Sequence, residues 1–279
     1  MREINASDIT AKVAQLCIKA CTVVAPDIRE YMERAYGEES GVAKLVLGDM
    51  LKNQDIAKQR IMPICQDTGM TVVFLEIGQD VHITGADLTD AVNAGVAQGY
   101  DEGFLRKSVV EDPINRINTK NNTPAIIHFS IVPGDKIKIT VCPKGFGSEN
   151  MSRLKMLVPA DGLEGIEDFV LETVTKADSN PCPPIIVGVG IGGTFDYAAN
   201  MAKRALLRKI GSANPNEYWA NIEAKLLEKI NATGIGPAGF GGFTTAMAVH
   251  INTFATHIAG LPVAVNIGCH VNRHEEAVL

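Results

Sequence analysis

The sequence has little that would carry it into a membrane or out of a reducing compartment. Its first ten residues, Met1 to Thr10, hold no apolar core preceded by positive charge, and no uninterrupted apolar run approaches the ~20 residues a bilayer requires. A soluble, cytoplasmic protein is expected. Basic residues are outnumbered, 26 Lys and Arg against 32 Asp and Glu. That balance argues against a nucleic-acid binder working through a broad basic face, because phosphate affinity needs clustered cations. An anionic small molecule would need a local basic pocket. Cysteine is also scarce: there are six in 279 residues, and no two are spaced as CxxC. A disulfide scaffold is excluded at that density, and a zinc ribbon or thioredoxin-type site is disfavoured, so the cysteines are expected as reduced thiols or metal ligands.

What is present is a chain 46% hydrophobic, enough to bury a substantial core, with nothing that demands a second domain. Residues 1–279 are taken as one domain with an N-terminal helical segment over about 1–60. Ile9, Val13, Leu16, Ala20 and Val23 recur at helical spacing after a capping residue at Ser7 or Asp8, and Asp27 to Tyr36 and Gly41 to Lys58 continue as helices. Cys17 and Cys21 share a face of the first helix with no third ligand nearby, which makes core packing the expectation. Met70 to Ile77 reads as a buried strand and Ala86 to Gln98 as a helix. Pro133-Gly134-Asp135 between two strand-like runs, 125–132 and 136–142, signals a hairpin. Further helices are expected over 165–177, from about Thr194 to Lys209 and around Trp219, and strands at 185–187, 243–251 and 263–267. The pattern gives an α+β fold with a mixed, largely antiparallel sheet and flanking helices.

Three cysteines stand in loops rather than in periodic segments. Cys65 lies in Pro63-Ile64-Cys65-Gln66-Asp67-Thr68-Gly69, Cys182 in Asn180-Pro181-Cys182-Pro183-Pro184, and Cys269 in Asn266-Ile267-Gly268-Cys269-His270. Pro and Gly bracket the first as a turn, where packing is a poor explanation of a cysteine beside an aspartate. A three-cysteine metal constellation is therefore a candidate, although Cys142 competes on spacing alone. Lys144 to Asn150 offers glycines for close backbone approach to an anion and side-chain donors around them. Gly188, Gly190 and Gly193 satisfy a dinucleotide GxGxxG pattern formally, but no second parallel strand ending in an acidic residue follows. Tight helix packing, or amides aimed at a metal cluster, explains those glycines better. His82, His128 and His250 are expected to be structural; His270, Arg273 and His274 have no assigned role.

Taken together, Cys65-Gln66-Asp67-Thr68-Gly69, Lys144 to Asn150, Pro181-Cys182-Pro183-Pro184 with the glycines after it, and Thr256-His257-Ile258-Ala259-Gly260-Leu261-Pro262 leading to Cys269 resemble the alpha subunit of two-subunit class I, iron-sulfur-dependent fumarate hydratases, a family that includes L-tartrate dehydratase. The resemblance runs nearly end to end and implies a hydro-lyase that interconverts fumarate and S-malate, or dehydrates tartrate. It implies a 4Fe-4S cluster on Cys65, Cys182 and Cys269, leaving one iron open as a Lewis acid, and leaves Cys142 out. It also implies Asp67 and His257 as catalytic, with Gln66, Arg106, Lys144 and Gly147 binding substrate. Phe146 stands where the family has a middle glycine, which points to Gly147 rather than Gly145 for backbone contact. The family's C-terminal lysine- and arginine-bearing segment is absent, so a separate beta subunit and an α2β2 assembly are implied. Two other classes stay open on the residues themselves: a non-catalytic iron-sulfur or zinc-binding interaction subunit, and a nicotinamide-dependent oxidoreductase.

Overall fold

A computed structural model describes all of residues 1–279. The chain runs β1 (Arg2–Asn5), α1 (Ala6–Thr22), α2 (Pro26–Glu38), α3 (Gly41–Arg60), β2 (Met70–Gly78), β3 (Val81–Thr84), α4 (Leu88–Glu102), β4 (Ile126–Val132), β5 (Ile137–Lys144) and α5 (Phe146–Glu149). It continues through β6 (Arg153–Leu157), α6 (Gly162–Ala177), β7 (Ile185–Gly193), α7 (Phe195–Ala205), α8 (Glu217–Asn231), β8 (Ala246–Thr256), β9 (Leu261–Gly268) and β10 (Glu275–Val278). Three helices fill the N-terminal segment, and four of the seven strand pairings are antiparallel, so the fold is α+β with mixed sheets. The chain forms two compact units: Met1–Ala25 with Asn53–Phe146 and Arg273–Leu279, and Pro26–Lys52 with Gly147–Asn272.

In the first unit a sheet ordered β10-β5-β2-β4 is packed against α1 and α4. Asn5, rather than Ser7 or Asp8, caps α1, its Oδ1 accepting the Ser7 amide at 2.9 Å. By length and composition the segment from Ala6 could cross a membrane. Its apolar residues Ile9, Val13, Leu16, Cys17 and Cys21 are instead buried with Val92, Val96 and Tyr100 of α4 and Val141 of β5. Cys17 and Cys21 are core residues, and burial raises both thiol pKa values, Cys21 to about 11. The expected hairpin does not form. β4 and β5 pair with opposite edges of β2, in parallel and antiparallel respectively, so Pro133-Gly134-Asp135 crosses over the end of β2. The turn is held there by the Gly78 amide on Lys136 O at 2.8 Å and the Asp80 amide on Gly134 O at 3.0 Å. The reason is burial: Val72 to Leu75 of β2 are inaccessible, and a buried strand needs hydrogen-bond partners on both edges. His128 stacks on Phe74 with ring centroids 4.9 Å apart, a structural contact.

In the second unit the sheet order is β6-β9-β7-β8. β7 is longer than its apolar start suggests and runs through all the glycines of the formal dinucleotide pattern. Val187, Val189 and Ile191 face the core with Phe169 and Val170 of α6 and Ile222 and Leu226 of α8. Gly188 and Gly190 face the other way, where a Cβ would overlap the Ala202 and Ala198 carbonyls of α7. Close helix packing therefore accounts for these glycines, and they form no strand-to-helix turn open to a pyrophosphate.

His250 of β8 is buried, and its Nδ1–H donates to the Ala205 carbonyl at 3.1 Å. Burial, aided by the Arg208 charge, pushes its pKa down from 6.5 to about 4. The neutral ring thus stabilises the fold fully above pH 6.5, and this contribution is lost as pH falls through 4. Between pH 7 and pH 4 the wild type should lose up to about 3 kcal/mol more stability than His250→Gln, measured by urea unfolding at each pH.

Candidate active site

The loop after α3 exposes Gln66 and half-exposes Cys65 and Asp67, while the residues beneath are fixed by buried groups. The Tyr100 hydroxyl donates to Thr68 O at 2.7 Å and lies 3.2 Å from Gly69 O, which also accepts from Asn122 Nδ2 at 3.2 Å. Thr68 Oγ1 donates to the Arg106 carbonyl at 3.0 Å, and the Ile64 amide to Cys21 O at 3.0 Å. Cys65 Sγ accepts the Asp67 amide at 3.4 Å and lies 3.1 Å from Gln66 Oε1.

Asp67 links this loop to the turn at the end of β5. Its Oδ1 accepts the Gly69 amide at 3.0 Å and its Oδ2 the Phe146 amide at 2.8 Å. Gly69, at φ +78°, lets the two segments touch, since a Cβ there would come within 2.5–2.8 Å of the Lys144 backbone. The first unit therefore gathers Cys65, Gln66, Asp67 and Lys144 at one end of its sheet, with Arg106 tied in through its carbonyl and its side chain exposed. Tyr100, two residues past the expected end of the 86–98 helix, and Asn122 carry no local signal of a role at this site.

In the second unit Cys182 is exposed in a left-handed turn at φ +56°, and Cys269 follows β9. The two loops are joined by His270, which approaches the Cys182 carbonyl with its amide at 3.3 Å and its Nδ1 at 3.1 Å. A carbonyl only accepts, so Nδ1 carries the proton. Gly147 belongs to this end as well, its missing Cβ facing Asn180 O at 3.5 Å. The loop through Pro237 braces the site by donating the Ala238 amide to Pro183 O at 2.9 Å. That loop is in turn held by the buried Glu39, which accepts the Phe243 and Thr244 amides, both at 2.7 Å.

His257 is elsewhere. β7 begins beside Gly268 and ends beside Thr256, which puts Cys182 and Cys269 at one end of the sheet and His257 beyond the other. At about 3.3 Å per residue the nine-residue strand separates them by roughly 30 Å. There His257 is exposed, its Nδ1 accepts the Ala259 amide at 3.2 Å, and it borders a cavity of about 370 Å³ with Trp219, Tyr218 and Ile258.

No three His, Cys, Asp or Glu side chains are gathered as for a single metal ion. The donor chemistry does suit an iron-sulfur cluster. Cys65, Cys182 and Cys269 are the three cysteines that solvent reaches, whereas Cys17, Cys21 and Cys142 are buried.

Compared with known proteins, the chain matches the fumarate hydratase (fumerase) family over residues 10–278. It is 44% identical over 272 residues to a Methanocaldococcus jannaschii protein provisionally named L(+)-tartrate dehydratase subunit alpha, a match covering 95% of each chain. The L(+)-tartrate dehydratase subunit alpha of Escherichia coli K12 is 33% identical over 270 residues, covering 95% of this chain and 88% of that one. Its counterpart from Shigella sonnei matches to the same extent.

The Glu39 clasp carries a measurable share of the loop's order. Glu39→Ala strands the buried Thr244 amide and the part-buried Phe243 amide and should cost about 2 kcal/mol, against under about 1 kcal/mol for the exposed neighbour Glu38→Ala, both read by chemical denaturation.

Proposed function

The chain belongs to the fumarate hydratase (fumerase) family and is a hydro-lyase, and from that membership we propose that it is the alpha subunit of an iron-sulfur enzyme interconverting S-malate and fumarate. The observation that carries the reading is the Asp67 carboxylate, two residues from Cys65 and hydrogen-bonded to both the cysteine loop and the Lys144 turn. A second reading, L(+)-tartrate as substrate, is favoured by the names of the relatives. Either substrate presents a poorly leaving hydroxyl and a carbon-bound proton made barely acidic by its neighbouring carboxylate.

Cys65, Cys182 and Cys269 are our choice to hold a 4Fe-4S cluster, which when bound supplies an open iron as a Lewis acid for substrate oxygens. Arg106 and Lys144 bind carboxylate, Arg through a planar fork and Lys as a point charge. Gln66 and the Gly147 amide orient the substrate beside them. Each Asp67 oxygen accepts one backbone amide and keeps a second lone pair, so the carboxyl can hold the proton that the departing hydroxyl needs. We assign the base for the carbon-bound proton to a beta subunit, a partner that the designation of the relatives as alpha subunits supports. The sheet that separates His257 from Cys182 and Cys269 supports an α2β2 assembly in which His257 assists Asp67 of a second copy. We place the enzyme in the cytoplasm, where its thiols stay reduced.

Iron and acid-labile sulfide, measured on anaerobically prepared protein, should come to about four each per chain. Cys65→Ser, Cys182→Ser and Cys269→Ser should abolish stable binding and Cys142→Ser should not; an essential Cys142 would sink the ligand assignment. Assays of the αβ complex on fumarate, S-malate and L-tartrate decide the substrate, and turnover of tartrate alone would replace the first reading with the second. His257→Asn and Cys182→Ser chains, each inactive, should recover about a quarter of wild-type activity when co-assembled, because half of randomly formed pairs contain one complete site. No recovery would rule out sharing between copies.

A further inference from the structure

We propose that Arg273, four residues beyond Cys269, is a positioning residue that locks the Asp67 carboxylate and the Pro143–Gly145 turn into one arrangement. The proposal rests on the reading of Asp67 as the proton carrier. Arg273 opens the C-terminal segment that returns to the first unit, and it is the one arginine buried there, at 8% exposure. A guanidinium does not deprotonate in a protein, so burying it requires acceptors and negative charge around it. Its Nε donates to the Pro143 carbonyl at 3.2 Å. A terminal nitrogen and Asp67 Oδ2 lie 2.9 and 3.1 Å from the point where Gly145 would carry a Cβ. Both groups therefore close on the same small volume, which is open because residue 145 has no side chain.

The other carboxylates of that segment have partners elsewhere. Glu275 pairs with Lys19 and Glu276 with Lys138, each at 2.8 Å. Asp67 is the carboxylate whose oxygen borders the same volume as the guanidinium, and Cys21 and Tyr100 beneath the loop lie within reach of the same charge. The arrangement joins three strands of chain at one point: the cysteine loop through Asp67, the end of β5 through Pro143, and the lead into β10 through Arg273 itself. Two backbone amides hold the Asp67 oxygens, and the β2–β5 ladder carries the chain as far as Lys144. Arg273 adds a side-chain anchor where that ladder ends, at the Pro143 carbonyl and beside Gly145. Positioning matters here because a displacement of about 1 Å at a proton-transferring group costs on the order of 100-fold in rate.

The test uses the αβ complex with Arg273→Ala, Arg273→Lys and Gly145→Ala. Arg273→Ala should lower kcat about 100-fold with KM changed less than about threefold, while iron and sulfide content stay at the wild-type level. Added methylguanidinium should restore kcat at least about fivefold in Arg273→Ala and leave Gly145→Ala, where a methyl fills the shared volume, unimproved. Lysine should substitute poorly, since a point charge cannot meet the Pro143 carbonyl and Asp67 together. Amide hydrogen exchange reads the anchoring without turnover: peptides spanning 65–69 and 144–149 should exchange about tenfold faster in Arg273→Ala. Unchanged exchange in those peptides overturns the proposal, as does a fall in kcat that follows lost iron or lost thermal stability and resists methylguanidinium. Should Asp67→Asn keep full turnover, the proton-carrier reading fails instead, and the exchange result still decides whether Arg273 anchors the turn.

Discussion

A loop that turns a cysteine and a carboxylate toward solvent must bury carbonyls behind them, and those carbonyls must find donors. In this protein the requirement falls on Thr68 O and Gly69 O, and the Tyr100 hydroxyl and the Asn122 amide meet it from beneath. An unmet carbonyl there would cost about 1–3 kcal/mol and free the segment that presents Cys65. Much of the first unit is arranged to supply these two donors. α4 packs on α1 so that Tyr100 ends fully buried under the loop, and the irregular stretch after α4 returns to set Asn122 beside it, its Oδ1 holding the Ser108 and Val109 amides.

The second unit solves the same problem with backbone amides and one imidazole. Pro183 O receives the Ala238 amide, Cys182 O receives the His270 ring and amide, and Glu39 supports the loop that provides Ala238. Strand β7 then carries the unit's other constraint. Its glycine face admits α7 and its apolar face meets α6 and α8, so one strand fixes both layers of the unit. The direction of that strand also separates the candidate residues, because it sends the Cys182 and Cys269 loops to one end and His257 to the other.

Periodicity made the long elements readable. α1, α4 and α6 show apolar residues at helical spacing, and β2 is a run that only a buried strand accommodates. Short strands escaped: β1, β3, β6 and β10 have four or five residues each, too few for alternation to stand out. The turn at Gly134 shows the limit of local signals. Its residues specify a reversal but not which strands the reversal joins, and β2 came between them. Arg273 was visible as a charge near the end of the chain, yet a guanidinium in a charged tail reads as solvated until its burial is known.

The sequence by itself determined which residues could carry chemistry, because loop punctuation by Pro and Gly, a cysteine next to an aspartate, and the shared motifs are properties of residue order. It also determined the class of fold, because hydrophobic period is written locally. Tertiary structure alone decided which of those residues meet. Asp67 reaches the Phe146 amide across 79 positions of chain, and His257 is held away from Cys269, only twelve residues later, by an extended strand. Separation along a chain and separation in space are linked only through the elements between, and a strand converts a short interval into the greatest distance that interval can span.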